Sequence, residues 1–308
     1  MKRAGGASLR PAPGAILTVL GDWLNAPQRI ERLALLRVFV PASVLGFLSS
    51  RIIHADYWLG SRGFRVPDLG GDWRQPLYIP ALPDWAAWAI GGAMILSGLC
   101  LVVGLAARPA ALVFAILVAY GTLADRLEAF TVTKLAPVLT LALFFSPCGA
   151  RYGVDAWLAA RRDPSVPRVT HVLGGSIRFF QCFLVTMYSA SGIAKARGDW
   201  LSKQVLWTHL HDAYQTQASW LLMRALPTWS WWLFQGLVLV FECGAPFWFA
   251  LPWTRTPALV VGIGMHAMIG LMFGPVVWFA LLMGSMLFAS FVPDAPLLRI
   301  RRMLGMRD

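Results

Sequence analysis

The distribution of apolar residues is the feature that most limits how this chain can fold. Long runs of mostly apolar residues alternate with short polar segments along most of the 308 residues. Charged residues make up only 14% of the chain, whereas soluble proteins carry about 25%. A helix of about 20 apolar residues crosses the hydrocarbon core of a bilayer. The runs therefore predict an all-α integral membrane protein.

The apolar runs predict one polytopic bundle of about eight transmembrane helices, with no separate soluble domain. Between spans five and six, residues 198–228 mix apolar residues with charges, which is typical of an interfacial helical segment. We expect no signal peptide, because the first long apolar run starts only after a segment rich in Pro, Gly and Arg. The predicted domains are a cytoplasmic N-terminal segment at 1–33, a transmembrane domain at 34–293 and a basic cytoplasmic C-terminal tail at 294–308. The predicted spans are 34–50, 86–106, 109–124, 135–147, 177–195, 230–251, 257–273 and 276–292.

The basic residues predict the orientation of the protein in the cell membrane. If the N-terminus lies inside, the cytoplasmic pieces carry more Lys and Arg than the outer pieces, which favours both termini in the cytoplasm. The net charge of +12 is spread between the apolar runs and forms no basic block interleaved with aromatic residues. This pattern indicates contact with lipid headgroups and not with nucleic acid. The four cysteines show no metal-ligand spacing, and we predict no metal site.

Three ionisable residues fall within or at the end of predicted spans. Lys195 ends span five, Glu242 lies near the middle of span six, and His266 lies within span seven. Because ionisable groups are costly in a bilayer, each is a candidate functional residue that should face the interior of the bundle. For Glu242, a structural hydrogen bond is the alternative to a role as counter-ion or proton carrier. For His266, the alternative to a functional role is a neutral histidine hydrogen-bonded to a neighbouring helix.

The segment "YSASGIAKARGDW" places three polar side chains on one face of span five. Tyr188, Ser191 and Lys195 stand at i, i+3 and i+7 of a helix. Partial burial would favour the neutral amine, which can act as a general base, whereas a carboxylate held against the lysine would keep it protonated. The alternative is that Lys195 extends to the headgroups, and the charged neighbours Arg197 and Asp199 favour that alternative.

Several segments together resemble the vitamin K-dependent gamma-carboxylase-like transmembrane family, also called the horizontally transferred transmembrane (HTTM) domain. The resemblance covers roughly residues 30–295. The most specific segment fits the pattern G-x-x-K-x-x-x-D-W. The matching segments are "SGIAKARGDW" (191–200), "FE" (241–242), "HAMIGLMFG" (266–274), "GLAARPA" (104–110) and "YGVDAW" (152–157).

The resemblance implies a membrane-embedded gamma-carboxylase-like enzyme that acts on a quinol or a secreted peptide. In the carboxylase, the lysine of this pattern deprotonates reduced vitamin K, so Lys195 would be a general base in an extracytoplasmic cavity. The implied cofactor is a reduced quinone of the vitamin K or menaquinone type. Glu242 and His266 would tune this base or relay protons. The residues expected to bind substrate at the mouth of the cavity are Tyr188, Ser191, Asp199 and Trp200.

Two departures from the carboxylase keep a second function open. The carboxylase carries a large luminal region that holds its peptide substrate, and we expect no counterpart here. It also carries a functional histidine before span four, where residues 125–134 of this chain read "DRLEAFTVTK" and offer only Thr133 or Lys134 as substitutes. The alternative is therefore a non-catalytic membrane factor for the maturation or export of a secreted peptide.

Overall fold

The computed structural model describes residues 13–63, 79–125, 129–202, 204–211 and 215–303, and these residues are almost entirely helical. Residues 1–12 and 304–308, parts of the two predicted terminal segments, lie outside the described residues. The helices are α1 (Pro13–Asn25), α2 (Ile30–Ile52), α3 (Ala55–Trp58), α4 (Asp84–Val103), α5 (Ala107–Ala124), α6 (Thr131–Phe145), α7 (Val154–Arg162), α8 (Gly175–Arg197), α9 (Val205–His209), α10 (Gln217–Ala225), α11 (Thr228–Ala250), α12 (Pro252–Met272), α13 (Val277–Phe291) and α14 (Asp294–Met303).

Helix α2 lies at the centre of the bundle. It contacts α4, α6, α8 and α13, and most of its side chains are buried. On one side, α4 packs on α5 and α5 on α6; on the other, α8 packs on α11, α11 on α12 and α12 on α13. The only β ladder among the described residues joins β1 (Gln28–Arg29) to β2 (His171–Val172) in antiparallel register. Helices dominate because each one satisfies its own backbone hydrogen bonds, as lipid surroundings require.

Six segments of the described chain are long and apolar enough to cross a membrane: α2, α4, α5, α11, α12 and the segment Gly274–Phe291 that contains α13. This finding confirms a multi-pass helical architecture. The other two predicted spans are also helices, but α6 has only 15 residues and α8 is too polar to be counted with the six. Crossing by α6 and α8 stays a prediction.

Two of the segments that carry the family resemblance meet at the turn between α4 and α5. Gly104 ends α4 with a φ of 72°, and the chain reverses into α5 within a few residues. Asp155 accepts hydrogen bonds from the backbone N–H groups of Ala106 at 2.7 Å and Ala107 at 2.8 Å. Its carboxylate therefore satisfies N–H groups that the start of α5 would otherwise leave without partners. The side chain of Arg37 reaches the same region and donates to the carbonyls of Cys148 and Arg151, each at 3.0 Å.

A buried charge network joins the start of α2 to α14. Arg32 donates to the Val292 carbonyl at 2.7 Å and pairs with Asp294 at 2.8 Å. Glu31 pairs with Arg301 at 3.6 Å and accepts a hydrogen bond from the Tyr152 hydroxyl at 3.1 Å. Burial and the Glu31 carboxylate raise the pKa of that hydroxyl, which therefore stays protonated at neutral pH. The network closes the end of the bundle that is predicted to be cytoplasmic.

The predicted interfacial segment 198–228 contains two short helices, α9 and α10. Residues 203 and 212–214 of this segment lie outside the described residues. The segment folds back on the bundle, where Leu210 forms a small buried cluster with Trp231 and Met272. Placement of this segment in a membrane interface stays a prediction.

Candidate functional site

The site forms where the C-terminal half of α8 meets α11 and α12. Gly192 allows a close approach, because a Cβ atom there would lie 2.7 Å from the backbone nitrogen of Cys243 and 3.0 Å from the carbonyl carbon of Glu242. A side chain at this position would push the two backbones apart. The glycine therefore brings the next turn of α8, which carries Lys195, against Glu242 on α11.

Lys195 and Glu242 form an ion pair. The Lys195 Nζ atom donates to Glu242 Oε1 at 2.5 Å. The lysine side chain is 25% exposed and the glutamate side chain 8% exposed. Glu242 Oε2 is buried and has no hydrogen-bond partner among the described residues. The pair thus has one accessible side, at the lysine, and one oxygen that can still accept a hydrogen bond.

A second polar pair lies deeper along α8. The Tyr188 hydroxyl and His266 Nε2 are 2.7 Å apart, and both side chains are buried. The Tyr188 ring packs edge-on against Phe241, the residue before Glu242. His266 Nδ1 is buried without a hydrogen-bond partner among the described residues. The bond holds α8 to α12, as the structural alternative for His266 requires, and it leaves a second ring nitrogen for proton transfer.

The remaining predicted site residues differ in their placement. Trp200 lies near the ammonium of Lys195, which is 4.9 Å from the centroid of a Trp200 ring. Ser191 is half-buried on α8 between the two polar pairs. Asp199 is exposed, and its backbone carbonyl accepts a hydrogen bond from the Ser202 hydroxyl at 3.3 Å. Trp200 therefore contacts Lys195, and its place at the mouth of a substrate cavity stays a prediction.

The ion pair determines the chemistry that Lys195 can perform. A lysine held at hydrogen-bond distance from a carboxylate keeps its proton while both groups are charged. The amine becomes a base when the proton moves along the hydrogen bond to Glu242. In a poorly solvated environment this neutral pair competes with the charged pair, because separated charges lose their solvation. This geometry allows a proton to pass between Lys195 and Glu242.

Two described cavities lie away from Lys195. One, of about 440 Å³, is an apolar groove between α6 and the first turns of α8, with Phe145 and Phe179 among its walls. The other, of about 360 Å³, is mostly polar and includes Arg51, His54 and Asp125 near the C-terminal ends of α2 and α5. Neither cavity is lined by Lys195, so a substrate cavity beside the lysine stays a prediction.

Gln235 is a site residue that sequence reasoning missed. It lies on α11, seven residues before Glu242, and is completely buried. Its side chain bonds to Trp200 and Leu206 in the segment that follows α8. Its position as a polar residue within the apolar run of span six was the available signal.

The fold and the site define a multi-pass helical membrane protein in which a partly exposed lysine near the end of α8 pairs with a buried glutamate on α11. The HTTM domain family model matches residues 31–292, and the chain belongs to this family. This match confirms the resemblance stated above. Neither the comparison with curated proteins nor the comparison with solved structures gives a match.

Proposed function

We propose that this HTTM-domain protein is a membrane-embedded gamma-carboxylase-like enzyme in which Lys195 is a general base toward a lipophilic quinol. The observation that carries the proposal is the 2.5 Å contact of Lys195 with Glu242. Lys195 lies within the segment that resembles the carboxylase most specifically, and Glu242 lies on α11. The buried carboxylate can take the proton that the lysine must first release. The partly exposed amine can then accept a proton from the substrate.

In the proposed step, Glu242 takes the proton of the resting Lys195 ammonium, and the neutral amine then accepts the proton of a substrate hydroxyl. The electron pair of the broken O–H bond stays on the substrate oxygen. Lys195 is again an ammonium and stabilises the new negative charge, while Glu242 is neutral and does not repel it.

The other predicted residues have supporting roles in this proposal. Tyr188 lies about two helical turns before Lys195 on α8 and is hydrogen-bonded to His266 on α12. This pair exchanges protons with the interior of the site or adjusts its electrostatics. Trp200 forms one wall of the mouth. Ser191 and Asp199 contact substrate, since both lie on the stretch of α8 and the following turn that borders Lys195.

The proposed topology places Lys195 on the extracytoplasmic side. It has eight spans, both termini in the cytoplasm, and α9 and α10 at the outer membrane interface. The contacts of α6 with α2 and α5, and of α8 with α11, support the inclusion of both helices in the transmembrane bundle. With 23 residues, α8 is about 35 Å long, enough to cross the hydrocarbon core.

Oxygen consumption with a reduced naphthoquinone tests the proposed activity in purified protein. We expect Lys195→Ala and Lys195→Arg to lose activity by about 100-fold or more, since arginine keeps the charge but does not release its proton. Arg162→Ala is the control, because Arg162 is an exposed basic residue on α7, and it should keep full activity. Full activity in Lys195→Ala would disprove the role of Lys195 as the base.

A non-catalytic factor for peptide maturation or export is the second candidate. Trp220 on α10 favours it, because this large aromatic side chain is 39% exposed on a segment that folds against the bundle. If wild-type protein consumes no oxygen, and if peptide secretion survives Lys195→Ala but not Trp220→Asp or Trp207→Asp, this second function replaces the first.

A further inference from the structure

We infer that Gln235 is a positioning residue that fixes Trp200 over the ammonium of Lys195. This inference deepens the proposed function and rests on it for its catalytic meaning. The positional part, that Gln235 acts on Lys195 through Trp200, is testable without any activity.

Hydrogen bonds from both its side chain and its backbone join Gln235 to the segment after α8. Its side-chain nitrogen donates to the Trp200 carbonyl at 2.5 Å, and its side-chain oxygen accepts from the Leu206 backbone N–H at 2.8 Å. The Gln235 backbone carbonyl accepts from the indole N–H of Trp200 at 2.9 Å. Gln235 therefore contacts both the backbone and the ring of Trp200, which determines where the indole lies.

The Trp200 ring needs such support because it follows the end of α8. The helix ends at Arg197, Gly198 is extended, and residues 198–202 form turns. Trp232, also on α11, donates from its indole nitrogen to the Leu201 carbonyl at 2.9 Å. Contacts from α11 thus hold this turn at two consecutive residues.

One helix consequently controls two contacts of Lys195. Gln235 and Glu242 stand seven residues apart, so they lie on the same face of α11. Glu242 contacts the ammonium directly. Gln235 acts on it through the indole of Trp200, whose ring face attracts a cation. Ring and carboxylate together leave the lysine only partly exposed.

The alternative is that Gln235 only satisfies buried backbone groups. The two accounts differ in what happens at Lys195 when Gln235 is replaced. If Gln235 positions Trp200, its loss uncovers the amine; if it has only a structural role, the protein loses stability and the amine stays as covered as before.

The acetylation rate of Lys195 separates these two accounts. It is measured by mass spectrometry for each lysine of the full-length protein in nanodiscs. The chain has few lysines, and the exposed Lys134 on α6 is an internal reference for reagent concentration and pH. Gln235→Met keeps the side-chain length and the backbone carbonyl that accepts from the Trp200 indole, but removes the side-chain hydrogen bonds to Trp200 and Leu206. We expect it to raise the acetylation rate of Lys195 relative to Lys134 by about fivefold.

Trp200→Leu should raise the acetylation rate of Lys195 relative to Lys134 to a similar extent. The double variant should raise it no further, since both changes take the same indole ring away from the ammonium. Gln181→Met is the matched control: Gln181 also bridges two helices, donating to the Ser290 carbonyl at 2.6 Å, but it lies 14 positions before Lys195 on α8. In Gln181→Met, the acetylation rate of Lys195 relative to Lys134 should equal that of wild type.

If Gln235→Met fails to fold, Trp200→Phe gives a second test, because it keeps a ring for the ammonium but loses the indole N–H; we then expect a rise smaller than that of Trp200→Leu. An unchanged ratio in Trp200→Leu or in folded Gln235→Met, or effects that multiply in the double variant, would overturn the inference. A raised ratio in a protein whose oxygen consumption does not depend on Lys195 would retain the positioning role and reject the proposed function.

Discussion

The contact between Lys195 and Glu242 joins two groups that are each costly in a bilayer. Alone, either would carry an uncompensated charge in poorly solvated surroundings or would have to change its protonation state. The lysine side chain is 25% exposed and the glutamate side chain 8% exposed. Removing one partner should therefore cost a different amount of unfolding free energy from removing the other. An unpaired Lys195 can extend toward water, whereas an unpaired Glu242 stays buried.

Free energies of unfolding should reveal this asymmetry at the residue scale. Lys195→Met leaves Glu242 buried without its partner, and we expect it to lower the free energy of unfolding by about 1–3 kcal/mol. Glu242→Leu leaves the more exposed Lys195 without its partner and should lower it by less. The double variant, with two apolar residues in place of the pair, should lie within about 1 kcal/mol of wild type. Reversible unfolding by SDS in mixed micelles measures all four proteins. A double variant less stable than both singles would mean that the pair stabilises the fold by more than mutual charge compensation.

At the scale of elements, the packing of α8 on α11 decides whether the site exists. The pair spans 47 positions in the chain, and Gly192 is what allows the two backbones to approach at the turn before Lys195. Hydropathy locates both helices but gives no information about which faces meet. Lys195 could therefore be identified from its place in the family pattern, while its pairing with Glu242 required the three-dimensional arrangement.

Two glycines provide a matched test of this packing. Gly192→Ala places a Cβ atom 2.7 Å from the backbone nitrogen of Cys243, and since backbone cannot rotate away, we expect a loss of about 1–3 kcal/mol of unfolding free energy. Gly236 lies on α11, and a Cβ atom there would have no neighbour within 4 Å. Gly236→Ala should therefore stay within about 1 kcal/mol of wild type or stabilise the helix. The same unfolding titration measures both variants, and equal losses would exclude the close approach at Gly192 as the cause.

At the scale of the whole molecule, sequence patterns predict the helices better than the contacts between them. Each predicted span coincides with a helix, because an apolar run of that length has few other ways to satisfy its backbone in lipid. The hydrogen bond between Tyr188 and His266 joins residues 78 positions apart, and no local pattern indicates it. The same holds for Gln235: the sequence shows that it is a polar residue within span six, but not which residues it bonds to. Helix α8 falls below the hydropathy of the other spans partly because it carries site residues.

Whether α6 and α8 cross the membrane determines on which side of it the connection between them lies. If both cross, residues 146–174 face the cytoplasm and the turn after α8 faces outward; if neither crosses, both segments lie on the same side. Val166 and Leu201 mark the two segments, and both side chains are exposed.

We expect Leu201→Cys to react with a membrane-impermeant maleimide in intact cells, and Val166→Cys to react only after permeabilisation. The positive-inside bias is the physical reason, because the connection around Val166 contains Arg161, Arg162 and Arg168. Labelling is scored at the introduced cysteine by mass spectrometry, since the parent chain contains four cysteines. Equal labelling of both variants in intact cells would place the two segments on one side and reduce the bundle to the six apolar spans. That outcome would leave α8 as a helix packed against the spans without crossing, so a quinol would have to reach Lys195 from the side of the bundle and not from an outer mouth.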